Sequence, residues 1–397
     1  MAYGTEQKQN GTNGVNGTNG KINHWASPGM TAFDFRSDTI TKPNGRMLEA
    51  VAATTLADDV FQEDPTTNDL EKLIVSITGK EAALFVLSGT MGNQVAIRTH
   101  LQGPPHSVVA DHRAHIVEYE AGGVASLCGA MCKGVIPSNG KYLTLEDVQK
   151  AVDLRDDIHG CPTKLISLEN TLGGVIYPLD EIRRISDWAH SHDIIMHCDG
   201  ARLWEAVAAG AGSLKEYCAC FDSLSLCFSK GLGAPIGSMI VGTKGFRERA
   251  RWIRKSIGGG IRQAGVITAA ARVAVEDTFL GGKLQGCHER ARQIAALWKS
   301  YGGTTSHPVE TNMVWLDVEA AGLSVDKFIE LGQKAGLRLL GGRLVVHYQI
   351  GEEAIERLDN LFQAIFKGKE LHGVVEFSPE SMKSAVRFEA YYYQPGK

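Results

Sequence analysis

The stretch Ser223-Leu-Ser-Leu-Cys-Phe-Ser-Lys230-Gly-Leu-Gly-Ala-Pro-Ile-Gly237 runs from an apolar strand into a glycine-rich turn. A second apolar run, Gly237-Ser-Met-Ile-Val-Gly242, follows at once. Lys230 therefore sits between two strands with the composition of a sheet interior. Burying an unpaired ammonium is costly. Lysines so placed often carry a depressed pKa and act as imine-forming nucleophiles. Taken alone, the stretch equally admits an ordinary surface lysine at a strand end.

Working outward, Asp193-Ile-Ile-Met-His-Cys-Asp199-Gly-Ala-Arg202 is another apolar run, and it ends in an aspartate. In an open α/β sheet ligands bind at the carboxyl ends of the strands. A lysine and an aspartate at two such ends form the pair that a pyridoxal phosphate enzyme needs. The lysine forms the internal Schiff base, and the aspartate keeps the pyridine nitrogen protonated so that the ring accepts electrons.

Composition leaves room for this reading. The 397 residues suffice for two ordinary domains, and 43% hydrophobic with 22% charged residues marks a globular chain. A formal net charge of −4 without a basic stripe argues against nucleic acid as a partner. No apolar run reaches the roughly 18 residues of a membrane span, and the first residues lack an apolar signal core, so a cytoplasmic protein without a membrane partner is expected. Eight scattered cysteines without zinc-ligand spacing read as reduced, buried thiols, and no metal site is expected.

Residues 1–30 hold the low-complexity run Asn10-Gly-Thr-Asn-Gly-Val-Asn-Gly-Thr-Asn-Gly20, which has little to bury and reads as a disordered tail. Its two glycosylation sequons, at Asn10 and Asn16, are put down to chance in the absence of a signal peptide. Strands are expected at Ala82–Leu87, Ser107–Ala110 and Lys164–Leu168 and near residues 194 and 224, separated by helical patterns. One helix opens at about Gln94, and another covers Pro178–His192. This alternation predicts right-handed crossovers and a mainly parallel sheet. After a basic helix over Phe246–Ile257 the rhythm changes. A strand over Asn312–Val318, a helix over Val325–Ala335, a hairpin of Leu337–Leu340 with Arg343–Tyr348 turning at Gly341-Gly342, and a helix over Glu352–Phe366 make a smaller α+β unit. The expected division is a tail over 1–30, a large α/β domain over 31–280 and a small C-terminal α+β domain over 281–397. The residues after about 368 read as a loose extension.

Ser88-Gly89-Thr90 lies between a strand and a helix N-terminus, where exposed amides, the dipole and two hydroxyls can take a phosphate. Alone it is as well read as a plain N-cap. Gly231-x-Gly233-x-x-x-Gly237 superficially resembles a dinucleotide loop, but its spacing is wrong and no helix follows. His112 and His115 follow a strand and are candidates for ring stacking or acid–base work, with Glu118 and Glu120 nearby. His159, before the Lys164–Leu168 strand, reads by itself as structural. Arg202 and Arg343 are candidate anion clamps.

These pieces together resemble the low-specificity threonine aldolases, fold-type I pyridoxal phosphate enzymes. The likeness rests on Phe35-Arg-Ser-Asp-Thr39, Asp58-Asp-Val-Phe61 through Glu63-Asp-Pro-Thr66, Ser88-Gly-Thr90, Ala114-His115, Leu168-Glu-Asn-Thr171, Asp199-Gly-Ala-Arg202, Ser229-Lys230-Gly-Leu-Gly-Ala-Pro235 and Gly258-Gly-Gly-Ile-Arg262-Gln-Ala-Gly265. It covers roughly residues 33 to 366, in order. The resemblance implies that Lys230 carries the cofactor and Asp199 pairs with its ring nitrogen. It implies that Arg202 reaches the cofactor or the substrate carboxylate and that His115 stacks on the ring. Ser88, Gly89 and Thr90 would hold the phosphate with help from Arg262 of a neighbouring subunit. Ser37 and Arg343 would bind the amino-acid carboxylate. His159 falls where the family has a second active-site histidine, which turns it from structural to catalytic. The chain departs from many members at Leu172, where Asn-Thr-His is common, and this leaves side-chain preference open.

The chemistry so implied is retro-aldol cleavage of a β-hydroxy amino acid to glycine and an aldehyde, with His159, His115 or a water they hold as base. Racemisation of alanine on the same fold is the rival, with Lys230 serving one face. A third reading, from another class, is a binding protein that kept the fold without the activity. A homodimer or homotetramer with active sites at the subunit interface is expected from the Gly258–Arg262 segment.

Overall fold

The computed structural model describes residues 23–369. The Asn-rich head with its sequons and the polar stretch beyond Lys369 lie outside the described residues. Seven strands form the central sheet: β1 (Ala82–Val86), β2 (Ser107–Asp111), β3 (Met131–Val135), β4 (Thr163–Glu169), β5 (Ile195–Asp199), β6 (Ser223–Cys227) and β7 (Ser238–Gly242). Their order is β1-β7-β6-β5-β4-β2-β3. Every neighbouring pair is parallel except those of β7, which lies antiparallel between β1 and β6. The fold is thus the expected α/β type with a mainly parallel sheet. The register sets Glu169 beside Asp199 and Asp199 beside Ser225, so the carboxyl ends of β4, β5 and β6 share one rim.

Strand alternation sorts the side chains between two covered faces. Ala83, Phe85, Val109, Ile166, Leu168, Met196, Cys198, Leu224 and Leu226 face one apolar cluster, into which the helices Pro65–Thr78 and Leu179–His190 insert Leu70, Ile74, Ile182 and Ile185. Each such side chain removed from water stabilises the fold by roughly 1.5–3 kcal/mol. The opposite face of β6 carries Ser223, Ser225 and Cys227, and there the Gly89–His100 helix packs closely. A Cβ on Gly92 would fall 2.3 Å from Ser225 Oγ, and one on Gly89 2.6 Å from Cys227 Sγ. Small residues on both sides let the helix start almost on top of the rim. The helix begins at Gly89, earlier than the expected Gln94, because Ser88 caps it.

A second apolar cluster is built from the helices Lys283–Ser300, Val325–Lys334 and Glu352–Lys367 over a two-stranded sheet, β8 (Met313–Trp315) with β9 (Arg343–Val345). Trp298, Phe328, Leu358 and Phe362 are its fully buried centre. Phe35, from the other end of the chain, is fully buried in this cluster, so the contacts cross the division expected at residue 280. The hairpin expected at Gly341-Gly342 is not the pairing that forms. Arg343–Val345 pairs antiparallel with Met313–Trp315, while Leu340 makes only isolated bridges to Gly342 and Arg343. The reason is a competing partner from the N-terminal segment. Arg338 and Phe33–Phe35 exchange backbone hydrogen bonds of 2.9 Å in each direction, and Val345 N–H donates to Phe35 at 2.8 Å. The strand β3 was not expected at all: Met131 is exposed, and the edge position leaves little apolar alternation to read. All eight cysteines are free.

Candidate active site

Lys230 follows the end of β6 by three residues, in a turn pinned from within. Gly233 N–H donates to the Lys230 carbonyl at 2.9 Å, Ala234 N–H to Phe228 at 3.0 Å, and Phe228 N–H to Gly237 at 3.0 Å. Thr41 Oγ1 donates to the same Lys230 carbonyl at 2.9 Å. Gly233 has φ +87°, and a Cβ there would lie 2.5 Å from Tyr348 Oη, so this corner needs glycine for conformation and for space. The Lys230 side chain is half-buried, and its charge is felt by Asp38, His115, Glu169 and Cys227.

Asp199 ends β5 and is 4% exposed. Its Oδ1 accepts from Ala201 N–H at 3.1 Å, and its Oδ2 from Asn93 Nδ2 at 2.7 Å. The polar atoms of His115, Glu120 and Asp199 lie within 4.8 Å of one another. His115 Nδ1 and Glu120 Oε1 are 2.9 Å apart, and Asn93 Nδ2 donates to that same oxygen at 2.8 Å. Burial opposes a charge on His115, but the Glu120 hydrogen bond and the nearby Asp199 outweigh it and raise its pKa. Glu169, at the end of β4, accepts from His115 N–H at 2.8 Å. Its enclosed carboxyl and the adjacent Asp199 charge push its pKa up to about 7. The rim therefore gathers Lys230, Asp199, Glu169 and His115, the last two with raised pKa values, the kind of cluster that marks working sites.

Ser88 caps the Gly89–His100 helix, accepting from Met91 N–H at 3.1 Å, and Thr90 lies in its first turn. The N-cap expected of this segment is thus present, on a helix whose N-terminus opens beside the strand that leads to Lys230. Ser37 caps a short turn of 3-10 helix, Asp38–Ile40, and Asp38 is fully buried. Arg202 donates to Asp38 twice, Nε to Oδ2 at 2.8 Å and Nη2 to Oδ1 at 2.6 Å. Burial opposes the Asp38 charge, yet Arg202 prevails and holds the carboxyl down at about 2. Arg343 Nη2 donates to the Arg36 carbonyl at 3.0 Å, which brings it beside Ser37.

One expected site residue is not brought to this rim by its own chain. His159 is exposed, in the loop before β4, with its N–H on Asp157 Oδ1 at 2.8 Å. That loop leads into Thr163, the amino end of β4, whereas Glu169 and Asp199 mark the carboxyl end. Arg262 is exposed and pairs with Asp58 at 3.1 Å. Leu172 lines a small cavity with Leu143, Leu168, Glu169, Tyr142 and Tyr177, so its apolar side chain abuts the rim. Four residues that bond to the expected site residues were not themselves expected: Asp38 with Arg202, Asn93 with Asp199, and Glu120 and Glu169 with His115. Asp38 and Glu169 stand inside the motifs Phe35–Thr39 and Leu168–Thr171. Asn93 carries the one signal that was available, a polar residue in the run between Gly92 and Ile97 where the helix turns apolar.

The chain is similar to known proteins in sequence and in fold. The beta-eliminating lyase family is matched over residues 34–321. The chain is 62% identical over 344 residues to the aldolase vrtJ of Penicillium aethiopicum, covering 87% of this chain and 89% of that protein. It is 47% identical to the alanine racemase TOXG of Cochliobolus carbonum, covering 86% and 90%. It is also 47% identical to the low-specificity L-threonine aldolase of Candida albicans, covering 85% and 90%. In fold it matches the threonine aldolase structure of Leishmania major with a TM-score of 0.72 at 20% identity, over 84% of this chain and 99% of that one.

Proposed function

The chain belongs to the beta-eliminating lyase family, and from that premise we propose that it is a pyridoxal phosphate-dependent aldolase. It cleaves β-hydroxy amino acids, threonine and allo-threonine among them, to glycine and an aldehyde. The observation that carries this reading is the shared rim of β4, β5 and β6, where His115 and Glu169 both sense Lys230 and Asp199.

The residues fit the cofactor. An ionised carboxylate offers about four lone-pair sites, and Asp199 has two hydrogen bonds, which leaves room for a protonated ring nitrogen. The capped helix N-terminus at Ser88, Gly89 and Thr90 suits a phosphate. When bound, pyridoxal phosphate supplies a sink for the electron pair released at Cα. Lys230 would supply the amine that holds the cofactor, and His115 would lie against it. Ser37 and Arg343 would take the amino-acid carboxylate and so orient the substrate. Arg202 braces Asp38 with both arms. Glu169, poised near neutrality, is the proton acceptor for the β-hydroxyl, in place of the expected His159, His115 or a water they hold.

The likeness to the alanine racemase TOXG favours a second reading, abstraction and return of the Cα proton. Leu172 beside Glu169 gives an altered pocket wall that either reaction could use. Assembly into a homodimer or homotetramer is part of the proposal. Phe61, three residues from Asp58, and Val266, four residues from the Asp58 ion-pair partner Arg262, are 69% and 42% exposed, apolar side chains that a second copy would cover. Incubating the purified protein with L-threonine, L-allo-threonine and L-alanine separates the readings. Acetaldehyde from the first two is expected; D-alanine without acetaldehyde would replace the aldolase by the racemase.

A further inference from the structure

A line of hydrogen bonds crosses the interior behind Asp199. His100 Nε2 is 2.9 Å from Ser223 Oγ, Ser223 Oγ is 2.8 Å from His197 Nδ1, and His197 Nε2 is 3.2 Å from Asn93 Oδ1. Asn93 Nδ2 then reaches Asp199 at 2.7 Å and Glu120 at 2.8 Å. His197, Ser223, Asn93 and Asp199 are each 4% exposed or less.

The direction of every proton in this line follows from its last member. Asp199 and Glu120 accept, so the Asn93 amide nitrogen faces them and its carbonyl faces His197. A carbonyl only accepts, so His197 Nε2 carries a hydrogen. Burial, and then the neighbouring His100, lower the His197 pKa to about 3, so its ring is neutral and Nδ1 has a lone pair. Ser223 must donate to that lone pair, and its oxygen accepts from His100 Nε2–H. Burial lowers His100 to about 4, so this ring too is neutral. Four neutral groups thus donate in one direction, toward the carboxylate.

We propose that Asn93, His197, Ser223 and His100 are positioning residues that hold Asp199 ionised and aimed at the ring nitrogen of pyridoxal phosphate. The proposal rests on the cofactor reading above and adds to it four residues that touch neither cofactor nor substrate. An array of aligned donors stabilises an anion without bringing a second charge that would compete for it. It also ties the Gly89–His100 helix to β5 and β6 at two points, one per end, which fixes Asp199 relative to the phosphate-binding first turn.

The test compares two ligands on the apo-protein: pyridoxal phosphate, and its analogue with a CH group in place of the ring nitrogen. Each is titrated at equilibrium into wild type, Asn93→Ala, His197→Leu, His197→Gln and Ser223→Ala. Loss of the hydrogen bond to the Asp199 carboxylate predicts about tenfold weaker pyridoxal phosphate binding for Asn93→Ala, and loss of the neutral hydrogen bond to Asn93 about fivefold for His197→Leu. Ser223→Ala, further down the line, is expected to lose about threefold. His197→Gln, whose amide can still donate to Asn93, keeps wild-type affinity. All four variants bind the nitrogen-free analogue as wild type does. Equal weakening toward both ligands would show that the array only packs the helix, and an unchanged affinity for pyridoxal phosphate would equally overturn the proposal. A wild-type protein that takes no pyridoxal phosphate at all removes the cofactor reading itself, a result distinct from either.

Discussion

Both arms of the Arg202 guanidinium close on one carboxylate, that of Asp38, which is fully buried and 164 residues away in sequence. The pair joins the segment before the first long helix to the carboxyl end of β5. Breaking such a pair from one side leaves a charge unmatched and costs about 3–5 kcal/mol. Asp38→Asn should therefore lower stability by that order at neutral pH. The Asp38 pKa is depressed to about 2 from an ordinary 3.8, so the stabilisation is complete above about pH 4 and fades as pH falls toward 2. Urea unfolding of both proteins at pH 6 and pH 3 should show the gap between them shrinking at the lower pH.

Glu169 shifts the opposite way. With its pKa raised from 4.5 to about 7, the folded protein resists its ionisation, so stability is lost as pH rises from 4.5 to 7 and the loss persists above. Relative to wild type, Glu169→Gln should gain on the order of 3 kcal/mol between pH 4.5 and pH 8. The same change should lower turnover of threonine by about 10²- to 10⁴-fold, since the proton acceptor is gone. A variant both stable and active at pH 8 would return the acceptor role to another group.

Gly89→Ala should be felt twice. The new methyl would meet Cys227 Sγ at 2.6 Å, so the helix start must move. Overpacking of this kind costs about 1–3 kcal/mol, and the displaced amides should weaken cofactor retention. Cys227→Ala removes the opposing sulfur. The double variant should be more stable than the sum of the two single changes predicts, by thermal unfolding of all four proteins.

Lys230→Ala should fold and melt as wild type does, because the turn is held by main-chain atoms. On addition of pyridoxal phosphate it should develop none of the visible absorption that the wild type gains, and its turnover should fall to background. A wild-type spectrum in this variant would sink the assignment of Lys230.

Lys230 and Asp199 stand out in sequence because Asp199 ends an apolar strand and Lys230 sits in the short turn between two of them, where a charged side chain has no packing reason to stand. Glu169 ends a strand in the same manner, but with histidines nearby in the chain nothing local singles it out as the proton acceptor. Asn93 and Glu120 were hidden for a different reason. Their task is to contact each other and Asp199 across gaps of 27 and 106 residues, and no local pattern reports that. His159 was carried by family position alone. Its loop precedes Thr163, and strand direction places that end away from the rim. The missed pairing of Arg343–Val345 with Met313–Trp315 has a similar origin, since the local glycine turn was visible and the segment at Phe33–Phe35 that captures Arg338 was not.

The hydrogen bonds around Lys230 belong to its backbone and leave the amine outside them. Thr41, Gly233, Ala234 and Gly237 anchor the peptide at the root of the side chain. Letting go of one bonding partner and taking it back thus asks only for rotations about four carbon–carbon bonds, motions of picoseconds to nanoseconds for an unhindered chain. The turn that carries the side chain can therefore stay in place while the amine changes partners.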